Sequence, residues 1–334
     1  MTDFQSIPWD NIVRFGQKTL LDNRLFTVSW ITTRYCNYNC SYCWPYARSS
    51  VPDKKPLELY LNTIDSIKAQ ARANDFTDFH FSFSGGEPTA LKGFLDVIEY
   101  YANDTVPEYQ SIHMTSNISP GPKWWDRWLT TTQSLQRRSI TASFHAEYAD
   151  ETEFGDKCLM LADAGVFVTV NQVMVPGMFD EYYNRCHRLS DRGINVTLKP
   201  QSDPTASFIV DGYTQEQRDL MQTGFPQIIP DEYKKLIPLY QVELEDDKHN
   251  KYYLDQAERF NAFDFNKFEG WTCNAGYQGI VIRDTEVKRS YSCDDETIGT
   301  LEDGFKIFDK PRKCITKSCV SSADSKLPKV KYES

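Results

Sequence analysis

Cys36-Asn37-Tyr38-Asn39-Cys40-Ser41-Tyr42-Cys43 puts three thiols within eight residues, directly after a β-rich run at Phe26–Thr32. So tight a loop can wrap one face of a small metal cluster. A cubane [4Fe–4S] centre normally takes four cysteine thiolates, so three from one loop leave one iron with an open position where a small molecule can coordinate. Structural zinc is the alternative. It prefers four closed ligands, commonly as two C-x2-C pairs, whereas here the first spacing is x3 and no fourth ligand sits nearby.

Outward from that loop the chain alternates between short β-rich runs and helical periodicity, which reads as repeated βα units around a parallel sheet. The strand candidates are Phe26–Thr32, Asp78–Phe83, Ser111–Thr115, Ser139–Phe144, Val166–Val173 and Asn195–Lys199. Helical segments are expected at Leu57–Ala73, Leu91–Ala102, Trp124–Ser134, Phe154–Ala164 and Phe179–Arg192. Six βα steps fall short of a closed eight-stranded barrel, so the expected fold is α/β, a partial (β/α)6 barrel.

The regularity stops after Pro200-Gln201. The expected division is residues 1–25 as an N-terminal extension, 26–205 as the barrel, 206–270 as a connector and 271–334 as a small C-terminal α+β domain. The connector holds helical candidates at Gln215–Thr223 and Pro230–Leu239, with Tyr252, Tyr253, Phe260, Phe263, Phe265 and Phe268 as apolar anchors. Beyond it, Gly279–Arg283 and Val287–Ser292 read as a hairpin across Asp284-Thr285-Glu286, and Gly304–Phe308 as helix-like.

Composition excludes several classes. Of 334 residues 25% are charged, and no run approaches the roughly 18 apolar residues of a membrane span. The N-terminus has an acidic residue, Asp3, where a secretory signal would be basic, and no apolar stretch follows, so a cytoplasmic location is expected. In that reducing compartment nine cysteines are expected to bind metal where they cluster, not to pair as disulfides. A net charge of −10 argues against a nucleic-acid partner held by phosphate contacts.

A second motif, Ser84-Gly85-Gly86-Glu87-Pro88, follows the second strand. Two glycines permit close backbone approach, and the carboxylate and carbonyls can accept from an ammonium group. Alone it could be a strand-to-helix turn. Together, C-x3-C-x2-C with Tyr42 before the last cysteine, and Gly-Gly-Glu-Pro about 40 residues on, resemble the signature elements of the radical S-adenosylmethionine (SAM) superfamily. The resemblance implies that Cys36, Cys40 and Cys43 bind a [4Fe–4S] cluster whose open iron is chelated by SAM. It places Tyr42 by the adenine and the Ser84–Pro88 element at the methionyl amine. Weaker candidates for SAM contacts lie at later strand ends: Ser116 and Asn117, Ser143 for the ribose, and Asn171.

Cys273, Cys293, Cys314 and Cys319, spaced x19, x20 and x4, supply the four thiols that close a cluster or a zinc site. With Cys273-Asn274-Ala275-Gly276 and a turn at Gly299, they are similar to the twitch or SPASM extensions of the same superfamily. Those extensions bind auxiliary [4Fe–4S] clusters. The full SPASM set of seven cysteines is missing, so one auxiliary cluster is expected, with zinc as competitor. Cys158 and Cys186 fall in predicted helices and read as small buried hydrophobes.

By resemblance, an external reductant of the flavodoxin or ferredoxin type passes one electron to the first cluster. SAM then yields methionine and a 5′-deoxyadenosyl radical, which takes a hydrogen atom from a peptide or small metabolite. Oxidation or bond formation follows. Candidate substrate-facing residues are His145, Glu147, Lys199 and Gln201, at or after strand ends. The rival is a noncatalytic protein stapled by zinc or iron–sulfur sites, which accounts for the cysteines but not for Gly-Gly-Glu-Pro.

Overall fold

The computed structural model describes residues 6–22, 24–44, 48–107, 109–205, 208–228, 242–254, 266–293, 296–319 and 321–331. The expected helix at Pro230–Leu239 and the anchors Phe260, Phe263 and Phe265 lie outside them. The chain begins with β1 (Ile12–Gln17) and α1 (Lys18–Asp22), then alternates strand and helix. The series is β2 (Leu25–Thr33), α2 (Leu57–Ala73), β3 (Asp78–Gly85), α3 (Phe94–Ala102), β4 (Gln110–Ser116), α4 (Pro122–Thr132), β5 (Arg137–Ser143), α5 (Glu151–Asp163), β6 (Phe167–Met174), α6 (Phe179–Asp191) and β7 (Asn195–Pro200). After α7 (Gln215–Thr223) the described residues form short strands and one short helix: β8 (Val242–Asp246), β9 (Lys251–Leu254), β10 (Thr272–Cys273), β11 (Gly279–Arg283), β12 (Glu286–Lys288), β13 (Thr297–Thr300), β14 (Gly304–Phe305), β15 (Arg312–Lys313), the helix Ser322–Ser325 and β16 (Lys329–Val330).

Strands β2 to β7 are parallel neighbours in sequence order, the α/β arrangement of a partial (β/α)6 barrel. Their side chains alternate strictly. Phe26, Val28, Trp30, Phe79, Phe81 and Phe83 point outward and are fully buried under the helices. Each such side chain contributes about 1.5–3 kcal/mol by leaving water. The opposite positions, among them Ser29, Ser82, Ser111, Ser139, Thr141 and Thr169, line a single cavity of about 490 Å3. Because one cavity touches residues from β2 through β7, the sheet must curl around it.

Two features lie beyond the six-step series. β11 docks parallel to β2, so residues 279–283 extend the barrel sheet as a seventh parallel strand, and β12, β13 and β14 continue it antiparallel. The segment expected to be helix-like at Gly304–Phe308 instead begins with strand β14. Gly304 has φ of +90°, which turns the chain back so that Thr300 pairs with Gly304 and Gly299 with Phe305. α2 then holds the backbone beyond it, Gln70 accepting from the Ile307 N–H at 2.9 Å and Asn74 donating to the Phe308 carbonyl at 2.7 Å.

The N-terminal strand β1 runs in a second sheet of order β15-β10-β16-β1-β8-β9. That sheet joins residues from both chain ends and encloses a separate apolar cluster containing Phe15, Leu244, Phe268, Cys273, Cys314 and Cys319. Among the described residues no helix is long and apolar enough to cross a membrane.

Candidate active site

The C-terminal ends of β2, β3, β4 and β5 meet at the first cysteine loop. Two backbone bonds fasten its entry to the Gly-Gly-Glu-Pro segment: the Gly86 N–H donates to the Thr33 carbonyl and the Glu87 N–H to the Tyr35 carbonyl, each at 2.8 Å. A Cβ on Gly85 would stand 2.2 Å from the Thr33 oxygen, and one on Gly86 2.3 Å from the Tyr35 oxygen. Both glycines are therefore dictated by contact with the chain that leads into the cysteines, quite apart from any ligand.

Glu87 is 1% exposed and gathers three strand ends. Oε1 accepts from the Thr89 N–H at 3.0 Å, the Thr89 hydroxyl at 2.7 Å and the Ser116 hydroxyl at 2.8 Å, while Oε2 accepts from the Asn117 N–H at 2.6 Å. Burial raises its pKa and these bonds oppose the rise. Pro88 opens the short 3-10 turn that Glu87 caps. The Ser84 carbonyl accepts from the Thr32 hydroxyl at 3.3 Å. Asn117 continues the chain of contacts into the cysteine loop, its side-chain amide donating to Asn37 Oδ1 at 2.9 Å.

The segment after β5 clamps the loop from the other side. Glu147 accepts from the Ser41 N–H at 2.9 Å and also from its hydroxyl. A hydrogen bond of 2.8 Å joins the Tyr42 phenol and His145 Nδ1, and their rings stack. Tyr38 stacks on Tyr148 with centroids 4.8 Å apart. His145 and Glu147 thus face the cysteine loop and fix it. Of the other residues expected at the substrate, Lys199 lines the cavity, and Gln201 donates its backbone N–H to the Tyr213 hydroxyl at 2.8 Å. Ser143 and Asn171 are register partners on β5 and β6, and Asn171 also lines the cavity.

Cys40 is buried, and Cys36 and Cys43 are half-buried. Burial, then the neighbouring Glu147 and the other two sulfurs, push the Cys40 thiol up to about 12. Cys36 is raised mainly by burial, with Glu87 and Cys43 adding to it. Such thiols keep their protons until a cation replaces them, so the donor set suits a positively charged iron–sulfur core. Among the described residues no three His, Cys, Asp or Glu side chains gather to hold a single metal ion.

The second cysteine group is buried throughout, and its sulfurs feel one another: Cys293 senses Cys273 and Cys314, and Cys319 senses Cys273. Arg289, 1% exposed, staples the segments that carry them. Its Nε donates to the Ala275 carbonyl at 3.1 Å, and one terminal nitrogen donates to the carbonyls of Arg312 and Lys313, each at 3.0 Å. Lys329 is equally buried and donates to the carbonyls of Asp324, Ser325 and Leu327; burial raises the Cys314 thiol and pushes Cys319 up to about 12, and the Lys329 charge opposes both rises. Arg289 and Lys329 thus brace the segments that carry these buried sulfurs. Cys158 and Cys186 are buried in α5 and α6, where burial pushes both thiols up to about 12.

His80 and His113, which the sequence reading passed over, sit on the cavity wall. His80 Nδ1 lies 2.8 Å from the Ser111 hydroxyl, and His113 lies 3.0 Å from Ser139 and 3.2 Å from Thr141. Enclosure lowers His80 to about 3, and His113 and His145 to about 4. An unfolded histidine titrates near 6.5, so between these values the unfolded chain binds more protons than the folded one. The stability from these neutral rings is complete above about 6.5 and is lost as the pH falls towards 4. The melting temperature should fall over that window, and His145→Gln should flatten part of the slope. A profile of His145→Gln identical to that of the wild type would contradict the assignment of that ring.

Residues 30–221 match the Radical SAM superfamily. The chain is 25% identical over 221 residues to a GTP 3′,8-cyclase of Haemophilus influenzae (strain PittEE), covering 55% of this chain and 64% of that one. It is 33% identical over 116 residues to a GTP 3′,8-cyclase of Pasteurella multocida (strain Pm70), covering 34% and 32%. It therefore spans less than two thirds of the length of these curated relatives. Among solved structures, native anSMEcpe with bound AdoMet superposes with a TM-score of 0.50 at 14% identity, over 84% of this chain and 79% of the other, a likeness of fold. More than half of the sequence matches the family, and the chain belongs to the radical SAM superfamily of enzymes.

Proposed function

We propose that Cys36, Cys40 and Cys43 hold a [4Fe–4S] cluster at the mouth of the barrel and that SAM completes its coordination. The supporting observation is the convergence of four strand ends on the cysteine loop, through Thr33–Tyr35, Glu87, Asn117 and the His145–Tyr148 segment. On this reading the Ser84–Pro88 element and Ser116–Asn117 serve the methionyl end of SAM, Tyr42 the adenine and Ser143 the ribose. Asn171 is a further polar contact. Bound and reduced by one electron, cluster and SAM supply cleavage of a C–S bond to methionine and a 5′-deoxyadenosyl radical that removes a substrate hydrogen atom. The protein's part is to hold the loop rigid and orient the substrate. Glu147 and His145 do the first from β5, and Glu87 does it from β3.

Cys273, Cys293, Cys314 and Cys319 hold one auxiliary [4Fe–4S] cluster in a twitch-like C-terminal unit. The support is four buried thiols braced by Arg289 and Lys329. Held by these thiols, such a cluster would supply an acceptor for the electron left on the substrate or a ligand for the substrate. The overall reaction is an oxidation or bond-forming modification of a peptide or small metabolite, with the first electron supplied by a flavodoxin- or ferredoxin-type donor.

The test is Cys314→Ala. Anaerobically reconstituted, it should carry about half the iron of the wild type, since one of two four-iron clusters is lost. It should still make some 5′-deoxyadenosine while losing product. Full iron content in Cys314→Ala, or zinc in the wild-type C-terminal site, would contradict the auxiliary-cluster assignment.

A further inference from the structure

The cavity inside the barrel differs in charge from the rest of the molecule. The chain as a whole carries −10, yet the cavity is lined by four cations, Arg137, Lys199, Arg289 and Lys326, against one carboxylate, Asp324. Asp324 and Arg289 have work elsewhere. The Asp324 carboxylate accepts from the Ser292 N–H at 2.7 Å, and Arg289 pairs with Glu296 at 2.9 Å. Lys199 and Lys326 have no acidic partner among the described residues, although Lys326 is half-buried. An ammonium held at a cavity wall with no counter-charge is a standing attraction for an anion.

The rest of the wall is equally selective. A parallel barrel strand buried on both faces ordinarily reads as a continuous apolar run. Here the inner positions carry hydroxyls, Asn171 and the rings of His80 and His113. Burial first, and then the charges of Arg137 and Lys326, depress the basicity of both rings, so the rings stay neutral and can each offer a donor and an acceptor. A volume of about 490 Å3 is that of a small-molecule site. Such a wall fits a compact, hydroxyl-bearing molecule far better than the apolar side chains of a peptide.

We infer that the cavity takes a small polar metabolite bearing an anionic group, a phosphate or a carboxylate, with Lys326 and Arg137 holding the anion and the Ser, Thr and His side chains of the barrel wall holding the remainder. This rests on the proposed radical reaction only in treating the cavity as the substrate chamber. Lys199, exposed near the C-terminal end of β7, adds charge at the cavity's edge that draws the anion inward. The inference sets the substrate class that the proposed function left open between peptide and metabolite.

The experiment uses the reconstituted holoenzyme with SAM under anaerobic conditions. Inorganic phosphate and N-acetylglycine are titrated separately by calorimetry, with sodium chloride at matched ionic strength as reference. One of the two anions should bind saturably at one site, phosphate indicating a phosphorylated substrate and N-acetylglycine a carboxylate. Lys326→Met should weaken that binding by roughly tenfold or more, the worth of one charge-assisted hydrogen bond. Lys199→Met should weaken it less, and Lys310→Met, at an exposed position, should leave it unchanged. No saturable binding of either anion, or binding indifferent to both Lys326→Met and Lys199→Met, would overturn the inference. Formation of 5′-deoxyadenosine, measured in the same wild-type samples, separates the two ideas. Cleavage without anion binding defeats the anion site alone, whereas absence of cleavage defeats the radical reading.

Discussion

Cys40→Ala is expected to form no 5′-deoxyadenosine when reduced in the presence of SAM. Cys40 is the most enclosed of the three loop thiols, 7% exposed, and it lies between the other two in sequence. Its N-terminal neighbours reach Asn117 through Asn37, and its C-terminal neighbours reach Glu147 and His145 through Ser41 and Tyr42. Removing its sulfur leaves two thiols on a loop still clamped at both ends, and no other cysteine in the loop can take its place. The loss should therefore be of the cluster and of all SAM cleavage, with the fold retained. Cys158→Ala is the matching control: that thiol is just as buried but lies under α5, and its removal should lower the melting temperature while cleavage persists. Chromatographic assay of 5′-deoxyadenosine in both variants distinguishes them, and equal cleavage in Cys40→Ala and wild type would refute the ligand assignment.

Gly86→Ala should be severely damaging for the addition of a single methyl group. The new Cβ would lie 2.3 Å from the Tyr35 carbonyl oxygen and 2.5 Å from that of Arg34, both backbone atoms with no freedom to rotate aside. Relief requires the chain entering the cysteine loop to lift off β3, which breaks the bonds from Gly86 to Thr33 and from Glu87 to Tyr35. The expected cost is about 3 kcal/mol, the upper range for overpacking. The larger effect is functional, because the displaced segment carries Cys36. The variant should melt earlier, bind less iron and cleave SAM poorly. Gly121→Ala, where nothing lies within 4 Å of the added carbon, should match the wild type in all three measurements. A Gly86→Ala protein with wild-type iron content would show that the contact is looser than described.

Strands β2 to β7 were legible to within two residues at each end, and α2 was legible in full. Apolar residues recurring every second or fourth position, with short polar links, leave little choice in a βα series. The same alternation also encodes the cavity wall. In Asp78–Gly85 the order Phe-His-Phe-Ser-Phe-Ser puts the aromatics against the helices and His80 and Ser82 into the cavity. The number of strands does not carry that information; polar alternation in a strand covered on both faces does.

The second sheet was hidden for a different reason. β10, β15 and β16 are two residues long, and β1 finds its partners β8 and β16 more than two hundred residues away, so no local pattern announces them. The clamp on the cysteine loop is likewise a long-range fact. His145 and Glu147 looked like strand-end polar residues free to meet a substrate, and only the fold brings them against Tyr42 and Ser41, over a hundred positions earlier.

The most direct test of the account is to reconstitute the wild-type protein anaerobically, confirm an intact iron–sulfur spectrum, and reduce it with SAM present. Methionine and 5′-deoxyadenosine should form together. An intact, reducible cluster that leaves SAM whole would contradict the claim that the Cys36–Cys43 loop keeps one iron open for SAM.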